Sequence, residues 1–275
     1  MPLLLPKSHG ITHEMSWSGR PGGTTWGTAL PSHATVAHTE PTTPTQLIAS
    51  TSFDSDWVVV RFHNNLNGAT NTDSLVNIKV GAASSEVTII PNLMAGWVSD
   101  TNAFCQYTFP LRIPAGSRIS ATHRSVRTGV NVYCFVELFG GNQSMHWTGT
   151  GVEAVGADTA TSSGTAVTPG TTHEGTLTSI GTNTYEWGYV FPMTMGNTDT
   201  TMTAEITGFD IATGSTTGDV IPGLENFWSG SNTGEFQGHF PDGRYCRIPA
   251  STTLYLRAQY GGVAEARDYI IYGVY

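Results

Sequence analysis

The sequence comprises 275 residues with a formal net charge of −9, 12% charged residues, 39% hydrophobic residues and seven tryptophans. The acidic balance argues against a nucleic-acid binder, which needs clustered Lys and Arg to displace counterions, and the apolar content argues against a disordered chain. Only two lysines occur, and Thr, Gly and Ser stand where charges usually do, a composition suited to surfaces that meet proteins or sugars.

Residues 1–33 carry Pro2, Pro6, Pro21, Pro31 and the pair Gly22-Gly23, together with Trp17 and Trp26. That mixture predicts an extended N-terminal arm. Each indole buries on the order of 150–250 Å² when packed, so the arm is expected to lie on its own domain or on a neighbouring subunit. The first seven residues are too short and too proline-bounded for a signal peptide, and no apolar run reaches about 18 residues. The expectation is a soluble protein, made in a cytoplasm and inserted in no membrane.

Residues 34–140 alternate short apolar runs with turn signals. Strands are predicted at 45–50, 57–63, 75–80, 86–90, 103–113, 118–123 and 130–139, with turns at 64–68, 81–84 and 114–116. The last strand is apolar on both faces: Val132, Cys134, Val136 and Leu138 on one, Tyr133, Phe135 and Phe139 on the other. An antiparallel sheet with one wet face would alternate cleanly, so the outer face is expected to meet something. Tyr269 to Tyr275 at the end of the chain has the same double-sided character.

Residues 141–163 read as a Gly/Thr/Ser-rich linker, and 164–275 repeat the first unit. Arg-Ile-Pro-Ala stands at 112–115 and again at 247–250, and Ile-Pro-x-Leu at 90–93 and 221–224. Trp57 matches Trp187, and Trp97 matches Trp228. The two units therefore read as an internal duplication: an all-β chain of two tandem antiparallel, jelly-roll-like β-sandwich domains. Gly116 of the first copy is Ser251 in the second, which leaves open a different turn there.

Motifs for nucleophile elbows, phosphate loops and zinc helices are missing from the sequence. Asp54 and Asp56, helped by Asp73 or Asp100, could place carboxylates near a calcium ion but read as solvated loop. Glu86, Glu137, Glu205 and Glu235 offer carboxylates but no reason to pair. The paired tryptophans read as core before sugar platform. Cys105, Cys134 and Cys246 fall at unrelated places in the two copies and read as reduced thiols. Catalytic residues, metal ligands and cofactors are thus all expected to be none.

Phe-Pro-Leu-Arg-Ile-Pro-Ala-Gly at 109–116, Ile-Ile-Pro-Asn-Leu at 89–93, Gly-Thr-Ala-Val-Thr-Pro-Gly at 164–170 and the leading Met-Pro-Leu resemble structural proteins of tailed-bacteriophage virions. The resemblance covers 34–275. It implies a non-enzymatic virion part, such as a capsid decoration (cement), neck or tail accessory protein. Its expected partners are its own copies, as a trimer, and major capsid or tail proteins. The interface candidates are Trp17, Trp26, Tyr133, Phe135, Phe139, Tyr269 and Tyr275. The alternatives are a receptor- or glycan-binding fibre protein and a double-jelly-roll major capsid protein.

Overall fold

The computed structural model describes residues 12–15, 27–64, 73–95, 104–140, 147–196, 205–218, 220–221, 226–230, 236–237, 243–260 and 266–275. Every regular element among them is a β-strand. The first half holds β1 (Thr12–Met15), β2 (Thr28–Pro31), β3 (Thr45–Ile48), β4 (Ser55–Asn64), β5 (Ser74–Val80), β6 (Val87–Met94), β7 (Phe104–Phe109), β8 (Ile119–Ser125) and β9 (Asn131–Gly140). The second holds β10 (Val152–Val155), β11 (Thr165–Val167), β12 (Thr178–Thr182), β13 (Trp187–Gly196), β14 (Glu205–Thr213), β15 (Asn226–Gly230), β16 (Phe236–Gln237), β17 (Arg244–Ile248), β18 (Thr253–Tyr260) and β19 (Arg267–Val274).

All the strand pairs are antiparallel. In the first half, the order β2-β9-β4-β7 packs on β3-β8-β5-β6, which is the jelly-roll arrangement. The second half repeats it strand for strand as β11-β19-β13-β17 on β12-β18-β14-β15, with β16 added on β15. Beyond β2, β1 pairs the far end of β9, and beyond β11, β10 pairs the far end of β19. The stretch expected to be a linker therefore contributes an edge strand to the second half, and the arm contributes two strands to its own sheet. The short apolar spacing of Val152 and Val155, both buried, suffices for β10 because β19 supplies the ladder.

Inner faces follow the period of two. Val58, Val60 and Phe62 on β4 and Val132, Cys134, Val136 and Leu138 on β9 meet Ile78, Ile90, Leu93, Ile119 and Ala121 from the facing sheet. In the second half, Trp187, Val190, Tyr269 and Ile271 meet Phe209, Ile211, Leu254, Leu256 and Ala258.

The core of the first half does not stop at its own sheets. Phe191, Met193, Ile270, Tyr272 and Val274, on the opposite face of β13 and β19, belong to it. They close the open side of the first sandwich, where β6 and β7 end their sheets: β10 touches β6 and β13 touches β7. The Tyr272 hydroxyl donates to the Asn92 carbonyl (2.8 Å) and accepts from the Met94 amide (3.1 Å). Around it, Tyr107 stands edge-on to Tyr272 at 5.4 Å and tilted on Phe191 at 5.5 Å, with Phe109 beside Phe191 at 5.6 Å. Both faces of β19 are thus covered by the two halves of one chain, which is why its sequence is apolar on both sides from Tyr269 to Val274.

The repeated Arg-Ile-Pro-Ala builds the same turn twice. Ile113 and Ile248 are buried, and each proline that follows carries a carbonyl held by a side chain across the sheet. Thr51 donates to the Pro114 carbonyl (2.7 Å) and accepts from the Ser117 amide (3.0 Å). Asn183 does both to Pro249 (2.9 Å) and Thr252 (2.7 Å). Each arginine pairs a carboxylate that precedes the matched tryptophan: Arg112 with Asp54 (2.8 Å) and Arg247 with Glu186 (2.9 Å on both arms). The turn does not change where Gly116 becomes Ser251. Both are left-handed, at φ 79° and 60°.

Replacing Tyr272 by Phe strands one carbonyl and one amide of β6 in the core, and urea unfolding should register a loss of about 1–3 kcal/mol at unchanged m. A Cβ at Gly116 meets nothing within 4 Å, so Gly116→Ala should cost only the left-handed backbone term, about 1 kcal/mol. Ser251→Gly should return up to a similar amount, less the entropy glycine adds to the unfolded chain.

Candidate functional site: an aromatic outer face and a pocket at the seam

Three of the four sheets dispose of their outer faces in ways the sequence makes plain. Outside β5 and β8, Glu40 accepts from Asn77 (2.6 Å), Thr122 (2.6 Å) and Lys79 (3.1 Å) and pairs with Arg124. Burial alone would raise the Glu40 carboxyl, but these hydrogen bonds and the two cations outweigh it and hold the carboxyl below its usual range. Outside β14 and β18, Arg257 pairs Asp210 at 2.7 Å. β19, at the centre of the remaining sheet, is covered on both faces by the two halves.

The fourth face, outside β4 and β9, is different. The register sets Trp57 opposite Phe139, Val59 opposite Glu137, Arg61 opposite Phe135 and His63 opposite Tyr133. Arg61 lies over the Phe135 ring at 5.7 Å, pairs with Glu137 and donates to Gln106 at 2.7 Å. Tyr133, Phe135, Phe139 and Trp57 are all half-buried. The strip runs on through Trp57 to Tyr189 (6.1 Å) and to the half-exposed Tyr245 (6.4 Å) on the second half. Partial burial pushes the His63 imidazole toward neutrality, so the strip carries one cation that is already paired.

The interface candidates divide on this geometry. Tyr133, Phe135 and Phe139 share the outer face. Tyr269 does not: it is wholly buried inside the second sandwich, edge-on to Phe209 at 5.4 Å, because its side of β19 faces β14 and β18. Tyr275 is half-buried and stacks on Tyr185 at 4.0 Å. Trp17 and Trp26 lie outside the described residues, as do Trp97, Asp100, Glu235 and the side chains of Glu205 and Trp228. Trp187 is core, its indole donating to Glu153 at 2.9 Å. Asp54 is taken by its turn and Glu86 by Arg118, and among the described residues the calcium candidates form no group able to hold a metal ion. The three cysteines are unpaired, and burial pushes their thiols up.

Sequence reasoning missed a pocket of about 600 Å³ at one end of the seam, lined by His38, Asp73, Asp158 and Asp268 among others. Asp268 sits two residues before Ile270 on the β19 face that packs on the first half and is 5% exposed. Burial, then the charges of Asp73 and Asp158, push its carboxyl up to about 7. His38, at φ 57°, joins Ser162 across the seam at 3.0 Å. Period-two reading of Asp268 with Ile270 and Tyr272 was the available signal, but it needed knowledge of what that face meets. Elsewhere in the first half, His123 is fully buried between the Leu30 carbonyl and the Ser74 hydroxyl, both at 2.9 Å. Burial lowers its pKa to about 4.

No family model matches the chain, and no curated protein matches it in sequence. Among solved structures, the chain is similar to PNGF-II, at 6% identity and TM-score 0.37 over 95% of this chain and 65% of that one. It is also similar to the N-terminal CBM22-1–CBM22-2 tandem domain of Paenibacillus barcinonensis Xyn10C, at 10% identity and TM-score 0.27 over 96% and 91%. Likenesses this loose add nothing to the functional reading.

His123 and Asp268 should pull stability in opposite directions with pH. A buried neutral imidazole loses stability for the fold as pH falls from about 6.5 to 4, because the unfolded chain takes the proton first. A carboxyl with a raised pKa gains it back over nearly the same window, because the folded chain holds the proton. Asp268→Asn removes that compensation. Urea midpoints of the variant should fall by the equivalent of about 3 kcal/mol between pH 6.5 and 4, with a markedly smaller change in the parent.

Proposed function

We propose that this chain is a non-enzymatic structural component of a tailed-phage virion, acting by homo-oligomeric assembly and by docking on other virion proteins. What supports the reading is the aromatic outer face of β4 and β9. A sheet whose companions cover their outer faces with ion pairs and threonines presents tyrosine, phenylalanine and tryptophan here, and such a row is what an interface buries. Two jelly rolls locked through one core make a rigid block, and a trimer of such blocks carries six related modules around its axis. Many copies on a lattice make weak individual contacts sufficient. The partners are copies of this chain and major capsid or tail proteins, and the working location is the virion.

A receptor- or glycan-binding role is the second reading, favoured by one observation. Tyr245 is 49% exposed and stands edge-on to Tyr189 and Trp57 at the end of the same strip, an arrangement on which a sugar ring can stack.

Light scattering on the full chain over a wide concentration range tests the first reading. The parent should reach a defined oligomer, and Phe135→Glu should reduce it to monomer with the circular-dichroism spectrum unchanged. A parent that stays monomeric at every concentration and fails to bind purified particles would overturn it. Glycan-array binding lost in Tyr245→Ala would favour the second reading instead.

A further inference from the structure

We propose that the seam pocket binds an organic cation, an alkylammonium or guanidinium group, with Asp268 as its buried counter-charge and Asp73 and Asp158 at its flanks. The argument begins with the row of side chains on β19 that faces the first half. Val274, Tyr272 and Ile270 are wholly buried there, and the row continues to Asp268. An apolar residue at that position would extend the seam. A carboxylate stands there instead, 95% removed from solvent, and among the described residues it has no hydrogen-bond donor and no cation.

Seven other described carboxylates are provided for. Glu40, Asp54, Glu86, Glu137, Glu153, Glu186 and Asp210 each accept from named donors. A buried charge without a partner is costly, and two like-signed carboxylates, Asp73 and Asp158, act on Asp268 and make it costlier. Asp73 comes from the residue before β5, and Asp158 from the 158–163 turn of the second half, so both halves contribute to the negative potential.

The space before Asp268, about 600 Å³, falls within the range of small-ligand sites. A single metal ion does not suit it: among the described residues no three His, Cys, Asp or Glu side chains are grouped to hold one. A ligand that spreads its positive charge over several N–H donors can reach separated carboxylates, which one ion cannot. The Thr161 and Ser163 hydroxyls, 2.7 Å apart at the rim, offer further acceptors. The cation arrives either free, as a small amine, or on an arginine or lysine side chain of a neighbouring copy. The chemistry at Asp268 is the same.

The test uses the full chain at pH 8, above the raised pKa of Asp268, with agmatine and putrescine as probes against sodium chloride of equal ionic strength. Agmatine should bind saturably by calorimetry and raise Tm beyond the salt control. Asp268→Asn should weaken that binding by about tenfold or more, and Asp158→Asn, at the rim, by less. Removing a buried like charge should leave Asp268→Asn at least as stable as the parent in the absence of ligand, so a lost signal will not be a folding defect. A parallel sedimentation series separates the sources: if agmatine dissociates oligomers and Asp268→Asn mimics it, a protein side chain fills the site, and if mass is unchanged the ligand is a free amine. Equal Tm curves in agmatine and salt, binding that survives in Asp268→Asn, or tighter binding of calcium than of agmatine would overturn the proposal.

Discussion

The hydrogen bonds of the Tyr272 hydroxyl join two sandwiches into one body. An edge strand such as β6 offers unpaired amides and carbonyls that any passing strand could extend. Here the edge is met by a side chain: one phenol oxygen serves as acceptor for Met94 and donor to Asn92. Tyr107 sends its own hydroxyl to the Met94 carbonyl at 2.7 Å. The edge is thereby satisfied without a further strand, inside a cluster of four aromatic rings whose edge-on and tilted contacts each contribute about 0.5–1.5 kcal/mol beyond burial. Burial also keeps both phenols protonated by pushing their pKa values well up, which the donor role requires. Pulling the halves apart would expose the row on β13 and β19 and strand the polar groups of β6 together.

The repeat in the sequence is kept at the level of interactions more strictly than at the level of residues. Thr51 and Asn183 share no chemistry beyond one donor and one acceptor, yet each closes the turn after the repeated proline with the same two bonds. Asp54 and Glu186 stand at different offsets from their tryptophans, and each reaches the repeated arginine. Ser251 accepts a left-handed backbone that its counterpart glycine adopts freely, because the Ser251 amide donates to the Asn183 carbonyl at 2.9 Å just as Gly116 donates to Thr51 at 2.7 Å. A turn fixed from outside by a neighbouring strand tolerates such exchanges.

Much of the fold was readable because alternation is a local property. All seven strands expected in the first half are present, with ends displaced by a few residues, and Pro91 sits on the edge strand β6 where a missing amide costs no ladder bond. Less could be read where the partner of a face decides its meaning. Tyr269 and Tyr133 look alike in sequence, each on a strand apolar on both sides, yet one is core and the other lies on an outer face. The difference is set by the second half docking on β19, which no window of residues around Tyr269 encodes. The same holds for the seam pocket, whose acids come from positions 73, 158 and 268. The short strands β1, β2, β10 and β11 escaped notice for another reason: they lean on β9 and β19 for their hydrogen bonds and need little apolar pattern of their own.

Charge completes the picture. The chain holds 12 basic residues against 21 acidic ones, and the described outer faces draw heavily on that small supply. Arg61, Lys79, Arg112, Arg118, Arg124, Arg247 and Arg257 are each committed to a carboxylate. With these seven fixed on the outer faces and strand ends, the protein places none of them at the seam, where three aspartates from both halves line one pocket. An apolar seam could have run the full length of β19 at lower cost in solvation. That it ends in a carboxylate means the joint between the halves is tight at Tyr272 and electrostatically open at Asp268. Whatever neutralises that end, whether a proton or a cation, acts on both jelly rolls at once.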